Sequence, residues 1–229
     1  MYDYLNGLRT DVWRTSSARY NAARRLRRRE NLSVFSLALF SAMSGALPFF
    51  QKVYAQPGSS LDNYLTTFAA ALGIFLLAIS LIEWGAKTGA MAEALHKNAE
   101  QLNGLRRAIE LKLAVSASSG TDVTQTEAIE LSEKYEYIKN SCGHNHLPID
   151  DRLFLASNRF APEFMGASNA PRLNLFTAIA NQASWQMTSL WFFAVLWTVV
   201  LAGVFLAFFV DGSVVPSAAA KSTVAFVSV

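Results

Sequence analysis

The sequence predicts an all-α membrane protein: a transmembrane helical hairpin plus a third transmembrane helix, with a cytosolic helical domain between spans two and three. Three observations predict it. Residues 32–50, 64–82 and 187–210 form apolar runs that hold no Asp, Glu, Lys, Arg or His. A helix needs about 20 such residues to cross the hydrocarbon layer. Five arginines, Arg24, Arg25, Arg27, Arg28 and Arg29, abut the first run. The remaining basic residues concentrate between runs two and three.

Composition supports this class. The 229 residues are 52% hydrophobic and the mean hydropathy is +0.22, yet the middle of the chain is polar, so the apolar residues are segregated rather than spread through one soluble core. The net charge of +3 is modest, and its distribution carries more information. Of 20 Lys and Arg, 8 precede run one, 1 lies between runs one and two, 10 lie between runs two and three, and 1 is in the tail. Basic residues near spans stay on the cytoplasmic side. The predicted layout is therefore an N-terminal amphipathic basic helix (1–31), a transmembrane hairpin (32–82), a cytosolic helical domain (83–172), a third span (187–210) and an external tail (211–229). The N-terminus is expected inside and the C-terminus outside. The polar opening segment does not resemble a cleavable signal peptide. Cys142 is the single cysteine, so no intrachain disulfide forms and a reduced thiol is expected.

In residues 1–31, Leu5, Leu8, Val12 and Trp13 recur at helical spacing. This predicts an interfacial helix, with the arginine cluster fixing topology and meeting anionic headgroups at about 1 kcal/mol per charge. An arginine at a span's centre costs about 2.5–3.5 kcal/mol, which sets a firm start for span one. Span one carries Ser33, Ser36, Ser41 and Ser44, within an arc of ~140°. Gly45 lies beside them, and Ser41 to Gly45 has the small-xxx-small spacing that lets helices approach closely. Ala69 to Gly73 repeats it in span two, followed by Ser80. These residues form the candidate pore-lining or helix-packing face. Pro48 suits the outer end of span one, and Pro57-Gly58 breaks the chain between spans. Tyr64, Trp84 and Trp185 suit interfacial anchoring.

Span two is expected to continue as a cytosolic helix. Met91, Leu95, Asn98, Leu102, Leu105 and Ile109 alternate steps of four and three, an a/d seam with one polar insertion. The seam fits either packing within one chain or assembly between copies. Ser116 to Thr121 ends that helix, and the next is expected from Thr121 or Asp122, with Ala128, Leu131, Tyr135, Ile138 and Cys142 on its apolar face. A short helix is expected over 150–159, then a loop over 161–172.

No phosphate-binding glycine loop, GxSxG elbow or HExxH helix occurs. No catalytic residue, cofactor site or metal site is therefore assigned, and the chain is not expected to be an enzyme. Cys142, His144 and His146 lack the paired spacing of a zinc site, which would need a fourth ligand from Asp150, Asp151 or His96. The basic cluster's place against a span favours lipid contact over direct nucleic-acid binding.

The ordered set of Trp13, the run ARRLRRRE, the tight hairpin, the segment ALHKNAEQLNGLRRAIEL, the helix ending YEYIKNSCGHNH and the pair Asp150-Asp151 resembles the SLATT family, over residues 1–165. The resemblance implies an oligomeric effector that perforates or depolarises the bacterial inner membrane in antiphage defence, by abortive infection. It also implies a trigger from a partner or nucleotide signal, with a nucleotide synthase, a SLOG sensor or a reverse transcriptase as the partner. The third span exceeds the family's two-span plan. The alternative is a non-conducting membrane scaffold or sensor that recruits a cytosolic partner.

Overall fold

The computed structural model describes residues 1–120, 122–166 and 170–212. Among these every regular element is helical: α1 (Tyr2–Tyr54), α2 (Ser60–Ala86), α3 (Thr88–Ser119), α4 (Gln125–Asn140), α5 (Pro148–Ser157), a 3₁₀ turn (Pro162–Phe164) and α6 (Leu175–Gly212). A single bridge joins Met165 to Pro171. Stretches long and apolar enough to cross a bilayer lie within Tyr2–Tyr54, Ser60–Ser119 and Leu175–Val210. The expected external tail lies outside the described residues from 213 onward, as do Thr121 and residues 167–169 of the expected loops.

The chain divides into two compact units. The first comprises Met1–Val34 and Glu83–Phe192. Its main core joins Leu5, Leu8 and Val12 of α1 to Leu102, Leu105, Ile109 and Leu113 of α3, and to Ala128 and Ile138 of α4. A second cluster joins Ala22, Ala23 and Leu26 to Ala92 and Leu95, with Met91 and Cys142 against it. Alanines at both contact surfaces allow the helices to close on one another. Trp13 meets Phe154 edge-on at 5.1 Å, and Phe154 meets Phe164 at 5.4 Å. Each fully buried leucine contributes about 1.5–3 kcal/mol.

The N-terminal segment therefore differs from the interfacial helix expected of it. Leu5, Leu8 and Val12 fill a protein core rather than a lipid surface, because α3 and α4 present a matching apolar face. The seam from Met91 to Ile109 is filled by the same arrangement, from within the chain. Leu131 and Tyr135 of the α4 face also pack against this core.

Five boundaries depart from expectation, among them α5, which spans Pro148–Ser157 rather than 150–159. α1 continues through Pro48 to Tyr54. α2 does not run on into α3: Lys87 adopts the left-handed conformation, φ 48°, between them. Gly85 and Gly89 flank it and weaken helical continuity. α4 starts at Gln125, because Thr124 caps it: the Glu127 N–H donates to Thr124 Oγ1 and the Thr124 N–H donates to Glu127. α6 starts at Leu175, where Asn174 accepts the Thr177 N–H at 2.7 Å; the third span is the later part of a longer helix.

The second unit comprises Phe35–Ile82 and the described part of Phe193–Val229. Leu65, Leu72, Leu76 and Ile79 are the buried residues of α2 here, and Phe193, Leu196 and Val200 those of α6. Phe40 lies 4.8 Å from Trp197, whose indole N–H donates to Ser36 Oγ at 3.1 Å. Tyr64 donates to the Gly203 carbonyl at 2.6 Å. Gly203 has no Cβ where the Phe68 ring sits against it. α6 thus packs on both hairpin helices.

Candidate functional site

The arginines of α1 and their partners make the most organised polar feature of the first unit. Arg25 donates from Nε and Nη2 to both oxygens of Asp150, each at 3.0 Å. Asp150 is fully buried, at 0% exposure. It also accepts the Trp185 indole N–H at 2.9 Å and the Leu147 backbone N–H at 3.0 Å. Its own carbonyl accepts from Asn21 at 2.9 Å. One carboxylate therefore ties α1, α5 and α6 together. Four donors, two of them from one bidentate guanidinium, are what a buried carboxylate needs to offset its desolvation.

A second tie joins α1 to the end of α2: Arg29 donates to Glu83 at 2.8 Å. Glu83 is buried, and its second oxygen and the Arg29 Nε have no partner among the described residues. Arg28 donates to Gln186 and lies over the Trp185 ring, 4.7 Å from its centroid. Further along α1, Arg14 grips both oxygens of Asp151 at 2.6 Å, which raises the Arg14 pKa. Arg9 pairs with Glu163 at 2.5 Å.

The basic cluster therefore divides. Arg25, Arg28 and Arg29 are engaged with protein groups, in addition to the lipid-surface and topology role expected of them. Arg24, which also donates to Asn21, and Arg27 are exposed. The physical reason is the supply of acids and aromatics from α2, α5 and α6, which local sequence does not reveal.

The candidate membrane face divides as well. Ser33 and Ser36 are buried, and Ser36 binds Trp197. Ser41, Gly45 and Gly73 are exposed, Ser44, Ala69 and Ser80 are half-buried, and Ser80 bonds only back to Leu77. A Cβ added at Gly45 or Gly73 would meet nothing within 4 Å. The glycine of each small-residue pair therefore faces open space among the described residues. Large apolar residues such as Phe49, Ile74, Trp84 and Phe208 are also exposed, as suits hydrocarbon.

No group of three or more His, Cys, Asp or Glu among the described residues is placed to hold a metal. Cys142 is a free, half-buried thiol. Glu83, Trp185 and Gln186 are residues that the sequence did not single out for these roles. The signal available for them was the excess of polar groups at the span ends next to the arginine cluster.

The description of the SMODS and SLOG-associating 2TM effector domain family 5 matches residues 1–209. The chain belongs to this family. The match extends past residue 165, so the SLATT region takes in the third helix as well as the hairpin. No curated protein and no solved structure matches the SLATT chain. Family membership and three membrane-length helical stretches place this SLATT protein in a membrane, as an effector domain.

Proposed function

We propose that this chain is an oligomeric effector that perforates or depolarises the bacterial inner membrane during antiphage defence, ending in abortive infection. The observation that carries the reading is the open small-residue face. Ser41, Gly45 and Gly73 lie exposed on membrane-length helices of a family whose members are effector domains. Such a face supports close packing of further copies, and three helices from one copy are too few to enclose an aqueous path. The family description also supports partners of the SMODS or SLOG kind. A partner or nucleotide signal acts on the first unit, and release of the Asp150 and Glu83 ties frees α1, α2 and α6 at that unit's end. The arginine-rich end faces the cytoplasm, as the distribution of basic residues supports. No catalytic step is involved.

The test is to express the chain with its triggering partner and follow membrane potential with a dye. Depolarisation is expected, and Gly73→Cys should crosslink between copies in membranes. Unchanged potential with the trigger present, together with a strict monomer, would refute perforation. The second reading, a non-conducting scaffold or sensor, draws support from the α3 seam, whose apolar residues are packed within the chain. Partner capture with unchanged potential would favour it. Protease access to the 86–171 segment from outside the cell would overturn the orientation.

A further inference from the structure

Arg19 stands apart from the other arginines of α1. Arg9, Arg14, Arg25 and Arg29 each reach a carboxylate. Arg19 is only 3% exposed, more deeply buried than any of these, yet it forms no ion pair among the described residues. Its guanidinium donates to Asn98 Oδ1 and, at 2.9 Å, to the Lys139 backbone carbonyl. Both acceptors are neutral. Its Nε is buried with no partner among the described residues. A guanidinium has five N–H donors, so most of this one's capacity is unspent. Burying a charge without a counter-charge is costly, and such groups are normally paired. The cost is visible as a lowered Arg19 pKa, caused first by desolvation.

The surroundings show what would meet that charge. Arg19 lines a cavity of about 310 Å³ with Thr15, Lys139, Cys142, His144 and His146. That is near the lower end of the ~300–1,000 Å³ typical of small-molecule pockets. No aspartate or glutamate is among its described lining residues. The half-buried His146 supplies a second orphan, because its Nδ1 is also buried without a partner. Asp150 and Asp151 act electrostatically on His146, but Arg25 and Arg14 already hold them. The Lys139 ammonium pairs with Glu136 at 2.5 Å on the helix surface. The cavity wall therefore carries a cation with no counter-charge and an imidazole whose Nδ1 has no partner among the described residues, and the neighbouring acids are committed elsewhere.

We propose that this cavity, bounded by α1, the end of α4 and the 141–146 loop, binds the phosphate group of a small phosphorylated molecule, with Arg19 and His146 as its principal contacts. A tetrahedral oxyanion accepts several N–H donors at once, and guanidinium is the side chain best shaped to supply them. The volume leaves room beyond the phosphate for part of an organic body. The assignment deepens the trigger in the effector reading and, as a trigger, rests on that reading; as a binding site it does not.

The test uses the full chain in nanodiscs of zwitterionic lipid, titrated with inorganic phosphate and with a nucleoside monophosphate while thermal unfolding is followed. A saturable rise in the unfolding midpoint is expected, competed by sulfate and not by chloride. Arg19→Lys keeps the charge but loses Nε and the fork, and should weaken binding by about tenfold or more. Should that variant fail to fold, His146→Asn, at a half-buried position, should weaken binding severalfold. No saturable response by about 10 mM, or equal affinity in wild type and both variants, would overturn the site. Discs containing phosphatidylglycerol identify the source. Unchanged phosphate affinity there supports a soluble ligand, and loss of the response supports a lipid headgroup at the same site. Phosphate binding that leaves membrane potential unchanged in the dye assay would uphold the site and refute only its role as trigger.

Discussion

Replacing Asp150 by Asn exchanges one carboxylate oxygen for an NH₂ group of almost the same size, so any effect is electrostatic rather than one of packing. In the native chain the carboxylate accepts from Arg25 Nε and Nη2 at 3.0 Å, from Trp185 at 2.9 Å and from the Leu147 N–H at 3.0 Å. The amide turns a donor toward at least one of these donors. It also leaves Arg25, with a side chain only 12% exposed, without its counter-charge. Breaking one side of a buried pair costs about 3–5 kcal/mol, a large part of the ~5–15 kcal/mol that holds a typical domain. Asp151 is the internal control. It makes an equally good bidentate pair with Arg14, but the two side chains are 20% and 47% exposed, so Asp151→Asn should cost only about 0–1 kcal/mol. Denaturant unfolding of the full chain in detergent, followed by circular dichroism, measures both. Losses that are equal, or larger for Asp151→Asn, would refute the view that burial gives the Asp150 tie its strength.

Gly203→Leu should push Phe68 from its seat and lower the thermal midpoint of the chain in micelles, whereas Gly45→Leu, where space is open, should leave it near wild type. Lys87→Gly relieves a left-handed residue and should stabilise by up to about 1 kcal/mol in denaturant unfolding; a loss of more than that would show the lysine side chain to be needed there. Thr124→Ala removes an N-cap and should cost about 1 kcal/mol, read from the same experiment. Burial, and then the Arg19 charge, lower the His146 pKa from 6.5. The unfolded chain therefore takes up a proton first as pH falls through that value, so stability should drop below about pH 6.5. His146→Gln should flatten the pH profile of the unfolding midpoint in that window.

The parts of the fold that rest on local pattern were legible. Three uncharged runs marked the membrane-length stretches, and the four-three steps from Met91 to Ile109 marked the buried face of α3. The occupant of that face was not legible, because Leu5, Leu8 and Val12 read equally well as lipid-facing or protein-facing. The intrachain partners of the arginine cluster were hidden for a similar reason. A guanidinium beside a span looks the same whether it awaits a phosphate headgroup or an aspartate 125 residues away. Trp185 was read as an interfacial anchor, and its spacing carries no hint that its N–H meets Asp150. The break at Lys87 was hidden because lysine has no preference for left-handed backbone; only the nearby glycines pointed to it. The small residues of the spans were easy to find, but sequence could not separate Ser36, used by Trp197, from Gly45 and Gly73, which stay uncovered.

Asp150 and Asp151 are adjacent, yet they hold arginines eleven positions apart on α1. Eleven residues make close to three whole turns, about 16 Å of axial rise, so Arg14 and Arg25 emerge along nearly the same line. The short α5 helix is thereby pinned like a two-pronged staple. Sliding α1 by one turn, about 5.4 Å, would bring neither arginine back to its acid, and intermediate positions would strand both. Piston-like motion of α1 past α5 is thus blocked unless both prongs let go together, and short of that the two helices travel as one piece.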